Sequence, residues 1–302
     1  MIKKVIINNF NYATYLPECI ESALNQTLRL DQLIIIDDGS TDRSREIIAG
    51  YALSDHRIIS VFKDNGGQLS CFNAAAAYIT EDDLVFFLDA DDVYPLDYVE
   101  NMLKSAPYID VAFCNAAEFY QGRTAPISTA VINNKQAIAI LQSSHVTRAT
   151  RCWIGSPTSA MVMSGSRYRQ VFPCPLEPDW ITRADDVIVY TSSLFGAEKL
   201  YIQSLGIAYR VHGKNRFFGL PQQKTAQMSR NLKIERLFCW ACQQRFIPAR
   251  ATILIALDEV TAIPCSMRSR FFVPHPALIA LQPLIDFFRI LKRLLTMARA
   301  TQ

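Results

Sequence analysis

The sequence predicts an α/β protein with a mostly parallel central sheet covered by helices on both faces. Three observations predict it. Short apolar, β-branched runs recur through the first 120 residues. Stretches with helical spacing separate them. Polar and acidic residues gather where the runs end. Strands alternating with helices of this size form βαβ units, and continuous apolar runs such as LIII and LVFFL fit strands buried on both sides.

In chain order, strands are expected at residues 5–7, 33–36, 58–62, 84–88 and 111–114. Between the first two, Leu16, Ile20, Ala23 and Leu24 fall on one helical face. Residues 44–51 and 69–79 give the next two helices, and 96–103 follows Pro95. Residues 121–182 are broken by Gly122, Pro126, Pro157, Pro173, Pro175 and Pro178, with one amphipathic helix expected around 135–141. Residues 185–195 are helical again. Segments 199–202 and 207–211 are expected to form a hairpin around Leu205-Gly206. The last 80 residues are helical and more basic. Two regions are therefore expected: residues 1–215 as the main domain, divided at about 120, and 216–302 as a helical C-terminal extension.

Composition bounds the function. Half of the 302 residues are apolar and 20% are charged, which excludes a mostly disordered chain. The net charge of +3 is too small to argue for a nucleic-acid partner, and none is expected. Eight cysteines in a chain of this length do not make a disulfide scaffold. Cys239 and Cys242 form one CxxC pair without a second pair or histidine at zinc spacing, so buried free thiols in a reducing compartment are expected. MIKKVIINNF lacks the apolar stretch and cleavage site of a signal peptide. No uncharged apolar run of about 18 residues suggests a membrane span.

In an open parallel sheet, ligands bind beyond the carboxyl ends of the strands. Those ends carry Asn8-Asn9-Phe10, Asp37-Asp38-Gly39-Ser40, Asp64-Asn65-Gly66-Gly67 and Asp89-Ala90-Asp91-Asp92. Carboxylates as close as Asp89, Asp91 and Asp92 repel one another unless a cation is present. A divalent ion such as Mg²⁺ or Mn²⁺ takes one or two such ligands together with substrate phosphates. The plainer role for Asp91 or Asp92 is capping the next helix. Two acids leaving a buried strand at 37 and 38 suit a nucleobase N–H or a ribose hydroxyl, while Ser40 or Thr41 is expected to cap the following helix. Gly66-Gly67 before a helix lets backbone N–H groups approach an anion.

VIINNFNYATYLPECIESALNQT, LIIIDDGSTDRS, KDNGGQLSCFNAA and DLVFFLDADDVY, in that order, resemble the nucleotide-sugar domain of family 2 glycosyltransferases. The resemblance is strong over roughly residues 3–120, weaker to about 215, and absent beyond. It implies a GT-A fold, a single αβα sandwich, and an inverting sugar transferase. It places a nucleotide sugar, commonly a UDP-sugar, along Asn8, Phe10, Asp37, Asp38, Asn65, Gly67, Asp89 and Ala90, with a divalent metal at Asp91 and His212. The general base aligns with Asp185, with Asp186 as the alternative. Relatives carry Glu where this chain has Ala184, and often Gly where it has Ala160, at the end of a small-residue acceptor loop. For Asp185 and Asp186 the competing role is helix capping, and for His212 a polar strand end.

The implied function is metal-dependent transfer of a sugar to a glycan or lipid-linked hydroxyl in cell-surface polysaccharide synthesis, in the cytoplasm or at the inner face of its membrane. The rival is a non-catalytic nucleotide-sugar-binding scaffold, which Ala184 and Ala160 favour. A nucleotidyltransferase would want a glycine-rich basic loop where NNFNYATYL stands, and a dehydrogenase would want GxGxxG after a strand. Residues 284–297, LIDFFRILKRLLTM, put Leu284, Phe287, Leu291, Leu294 and Leu295 on one helical face and basic residues opposite. That pattern suits a membrane surface, a homo-oligomer contact or packing on the chain's own domain.

Overall fold

The computed structural model describes residues 1–106, 108–120, 138–140, 142–213, 224–245 and 253–262. Its elements are β1 (Ile2–Asn9), α1 (Leu16–Leu24), β2 (Gln32–Asp38), α2 (Ser44–Ser54), β3 (Ile58–Lys63), α3 (Gln68–Ala75), β4 (Asp83–Asp89), α4 (Tyr98–Ser105) and β5 (Val111–Tyr120). They continue with β6 (Ile138–Ile140), α5 (Ser144–Thr150), β7 (Met161–Ser164), α6 (Gly165–Val171), α7 (Ala184–Leu194), β8 (Lys199–Val211), α8 (Lys224–Arg245) and α9 (Ile253–Ala262). All five apolar runs expected as strands are strands.

The strands form one sheet in the order β3-β2-β1-β4-β7-β5-β8-β6. β1 pairs in parallel with β2 and β4, and β2 with β3. β7 runs antiparallel to both β4 and β5, and β5 is parallel to β8. One reversed strand between β4 and β5 thus leaves β4, β5 and β8 pointing the same way. The carboxyl ends of β1, β2, β3, β4 and β8 therefore share one edge.

Alternate residues of each strand feed opposite faces. Leu33, Ile35, Leu84, Phe86 and Leu88 pack against Leu16, Cys19 and Ile20 of α1, Ile48 of α2 and Tyr98, Val99 and Met102 of α4. Ile34, Ile36, Val85 and Phe87 face Leu69 and Phe72 of α3, Tyr168 of α6 and Val187 and Ile188 of α7. The second core continues into Ile234, Leu237 and Phe238 of α8 and Leu257 and Val260 of α9. The change of texture near residue 215 is therefore not a gap in the core.

Two expected elements are corrected. Residues 199–211 are a single strand, because both flanks of Leu205-Gly206 pair with β5 in the same direction. The register jumps at Cys114/Asn115, and the Asn115 side chain donates to the Gln203 and Leu205 carbonyls at 2.8 and 3.1 Å. The supposed turn is a bulge. Ile138–Ile140, expected inside a helix, is an edge strand antiparallel to β8. The open β8 edge supplies backbone partners that outweigh local helical spacing; the rest of that helix, 135–137 and 141, lies outside the described residues. So do Cys265 and residues 284–297. Cys19, Cys71, Cys114, Cys152 and Cys174 are buried free thiols, whereas Cys239 is exposed and Cys242 half-buried. Among the described residues no helix is long and apolar enough to cross a membrane.

Candidate functional site

The register sets the site. Asn8 lies beside Asp89, Asn9 beside Asp37, and Asp38 beside Lys63. Asn9 donates to Asp37 Oδ1 at 2.8 Å and Ser40 Oγ at 3.1 Å. Asp37 also accepts from the Ser40 N–H and Arg45 Nε. Asp38 accepts from Lys63 Nζ at 2.5 Å and from the N–H groups of Gly66 and Gly67 at 2.9 and 2.8 Å. A carboxylate has about four acceptor positions, and three are used on each acid. Both are buried, so each serves first as an internal strut.

The expectation that Gly66 and Gly67 turn their N–H groups toward a bound anion is corrected, because Asp38 already takes both. The next two N–H groups, of Gln68 and Leu69, go to the Ile181 and Trp180 carbonyls. Gly67 has φ +88°, and a Cβ there would lie 2.3 Å from Ile181 Cα. Its missing side chain makes room for backbone, not ligand. Asn65 donates to the Asp38 carbonyl at 2.9 Å and holds the same loop. Neither Ser40 nor Thr41 caps α2, whose N-cap position is Arg43 without a side-chain cap; Asp42 just before it accepts from the Ser44 N–H at 2.9 Å. Phe10 is 37% exposed just beyond β1.

Asp89 is the hub of the acidic loop. Its Oδ1 accepts from Gln68 Nε2 at 2.9 Å, and its N–H donates to Ser159 Oγ at 3.0 Å. Burial first, then repulsion from Asp91, pushes its pKa up to about 7. Asp91 Oδ2 stands 2.9 Å from His212 Nε2, at the end of β8. The His212 ring stacks on Tyr15 at a centroid distance of 4.7 Å. Arg210 fastens this corner, donating from Nε to the Asp91 carbonyl at 2.7 Å and from Nη2 to Glu18. Asp92 is interior: it accepts from Ser159 Oγ at 2.6 Å and the Arg210 N–H at 3.0 Å. Burial, then Asp91, raises its pKa well above the carboxylate range. Neither Asp91 nor Asp92 caps α4, whose first residue is Tyr98. The Ala90 side chain is buried in the apolar core.

The first turn of α7 holds Asp185 and Asp186. Asp186 is fully buried, and Arg230 of α8 binds both its oxygens, Nη2 to Oδ1 at 2.7 Å and Nε to Oδ2 at 2.8 Å. Asp185 is half-buried at the residue level, and its Oδ1 accepts only the neighbouring Asp186 N–H in the hydrogen bonds described. Burial, then the Asp186 charge, pushes Asp185 up to about 7. Ala184 is buried in the core and offers its N–H to Gln68 Oε1 at 2.9 Å. Its departure from Glu therefore replaces a core-facing side chain.

Gln68 was not legible as a functional residue. Its amide spans Asp89, Thr158 Oγ1 at 3.3 Å and the Ala184 N–H, so it ties the acidic loop, the 157–160 segment and α7 together. Its one signal is its place directly after Gly67. Ser159 sits in the 157–160 segment, which the family resemblance marks as an acceptor loop without giving Ser159 a role. Arg230 has no sequence signal, since it lies 44 residues from its partner on a helix without a motif.

The family profile for glycosyl transferase family 2 matches residues 4–155, half of the chain. An uncharacterized glycosyltransferase of Nostoc sp., alr2836, is 33% identical over 214 residues, covering 70% of this chain and 65% of that protein. The minor teichoic acid biosynthesis protein GgaB of Bacillus subtilis is 38% identical over 103 residues, 33% of this chain and 11% of its own. The chain thus spans less than two thirds of either relative. A crystal structure of S. aureus TarS in complex with UDP-GlcNAc superposes with TM-score 0.55 at 18% identity, covering 96% of this chain and 88% of that one. That likeness carries the GT-A fold expected from the sequence. The family match spans all four strand-end motifs, and the chain belongs to glycosyl transferase family 2.

Proposed function

We propose that this chain transfers a sugar, with inversion, from a UDP-sugar to a hydroxyl of a cell-surface glycan or polysaccharide, with Asp185 as the general base. One observation carries the choice of base. Of two adjacent acids, Asp186 is consumed by a guanidinium, while Asp185 retains acceptor capacity and has a pKa raised to about 7. A hydroxyl is a poor nucleophile at neutral pH, and a carboxylate poised near 7 is well matched to take its proton. Attack on the anomeric carbon from the face opposite the nucleotide forms the new C–O bond as the bond to the β-phosphate oxygen breaks. The hydroxyl proton passes to Asp185.

Asn8 and Asn9 each bury an Oδ1 without a hydrogen-bond partner among the described residues. A nucleoside hydroxyl or N–H would satisfy such acceptors. Asp89, beside Asn8, faces the same ligand, and Asp37 and Asp38 each keep one acceptor position for it.

Asp91 and His212 fit a divalent cation. The two share a hydrogen bond at 2.9 Å, and with its proton lost a carboxylate and a neutral imidazole this close could both ligate one ion. Among the described residues no group of three His, Cys, Asp or Glu side chains is placed to hold an ion alone. Phosphate oxygens and water would complete the shell, as is usual for Mg²⁺. The ion would supply Lewis-acid neutralisation of the charge developing on the leaving diphosphate.

The test is calorimetric titration with UDP, with and without Mn²⁺, beside release of UDP from a panel of UDP-sugars. Asp91→Ala should abolish the metal-dependent part of binding. Asp185→Asn should leave UDP affinity within about twofold and lower turnover by 10²-fold or more, roughly the worth of a general base. Full turnover in Asp185→Asn removes it as the base. UDP binding that is absent under both metal conditions removes the UDP-sugar assignment.

A further inference from the structure

Two neighbouring carboxylates in one helical turn compete for a single proton unless something separates their charges. Here the charged groups facing Asp185 are Asp186 and Arg183 on α7 and its cap, Arg230 on α8 and Asp89 at the end of β4. Among them only Arg230 comes from the C-terminal segment. Its fork closes on both oxygens of Asp186, at 2.7 and 2.8 Å, while Arg183 Nε reaches Oδ2 only at 3.4 Å, and Asp186 is wholly inside the protein. A planar guanidinium matches both carboxylate oxygens at once, which an ammonium cannot do.

We propose that Arg230, supplied by α8, is the positioning residue of the base: it absorbs the Asp186 charge and leaves Asp185 the single working carboxylate of the pair. The proposal rests on the reading of Asp185 as base. It assigns a task to a helix beyond the family motifs. Arg230 does not touch the reacting atoms. It fixes which of two acids carries the exchangeable proton, and it makes the docking of α8 a condition for a working site.

The test is a ¹³C NMR pH titration of the 302-residue chain labelled at the aspartate side-chain carboxyl, with the Asp185 signal assigned by its loss in Asp185→Asn. Arg230→Gln leaves Asp186 with only the longer contact to Arg183 Nε, 3.4 Å from its Oδ2, and the Asp185 midpoint should rise. Asp186→Asn leaves Arg230 unbalanced, and the midpoint should fall. The double variant Asp186→Asn/Arg230→Gln should return close to the parent. A purely structural disturbance would not alternate in sign. Because Arg230→Gln removes the bidentate partner of a buried charge and costs stability, the same comparison within the Asp186→Asn background stands beside it: adding Arg230→Gln there should raise the midpoint. An Asp185 midpoint unmoved by Arg230→Gln in either background overturns the proposal. Loss of UDP release in Asp185→Asn is read separately, so failure of the base assignment is distinguishable from failure of Arg230's role.

Discussion

Lys199 is a buried amine with no carboxylate partner in its three hydrogen bonds. Its Nζ donates to the Ile154 and Val189 carbonyls, both at 2.8 Å, and to Ser193 Oγ at 2.7 Å. Burial is the main cause of its pKa falling to about 7. The unfolded chain holds that proton up to about pH 10.4, the folded chain only to about 7. Between those limits the unfolded state binds more protons, so this residue makes stability rise with pH, by about 1.4 kcal/mol per unit at most. The thermal midpoint of the parent should climb relative to Lys199→Met between pH 7 and 8.5. Parallel pH dependences in the two proteins would show that Lys199 stays charged in the fold. Asp185 follows the opposite sign. Its raised pKa favours the folded state below about pH 4, and that contribution is lost as pH rises through about 7.

At the scale of elements, the junction of α3 with the 180–181 backbone decides whether the site assembles. The α3 N-terminus is satisfied by the Trp180 and Ile181 carbonyls rather than by a side-chain cap. Gly67→Ala would set a Cβ 2.3 Å from Ile181 Cα at a positive φ. It should cost at least about 2 kcal/mol, from strain and lost contact together, and lower turnover through displacement of Gln68. Denaturant unfolding reads the first effect. A midpoint equal to the parent would mean that the segments separate freely. The strands of the first 120 residues were legible because apolar runs and strand-end acids are local signals. β8 misread as a hairpin, and Ile138–Ile140 as helix, were decided by neighbours distant in sequence: the β5 register and the open β8 edge. That the acids after β4 would gather at the strand-end edge was legible; that Asp91 would meet His212, 121 residues away, was decided by the fold. The internal duty of Asp38 was not legible, since a DDGS motif carries no mark of which lone pairs the fold will use.

The whole molecule is held together across the boundary near 215. Ile234, Leu237, Phe238 and Ala241 of α8 and Ala256, Leu257 and Val260 of α9 are buried in the core that also contains Phe72 and Val187. Glu259 of α9 accepts from the His145 and Val146 N–H groups at the start of α5. At roughly 1.5–3 kcal/mol per large apolar side chain, this burial is on the order of 10 kcal/mol, comparable to the stability of a whole domain. A chain ending at residue 215 should therefore lose its cooperative unfolding transition and bind a hydrophobic dye. A sharp transition at the parental midpoint would show that the first 215 residues fold alone.

Gln68 gives the assembled molecule one more property. A single amide grips the acid at the end of β4 with its nitrogen and the first turn of α7 with its oxygen. Any ligand that draws Asp89 toward itself pulls on the segment bearing Asp185. Were a ligand at Asp89 to shift α7, linkage would be reciprocal, and whatever seats against α7 would change the grip at Asp89 by the same factor. The two ends of the edge thus share one side-chain support.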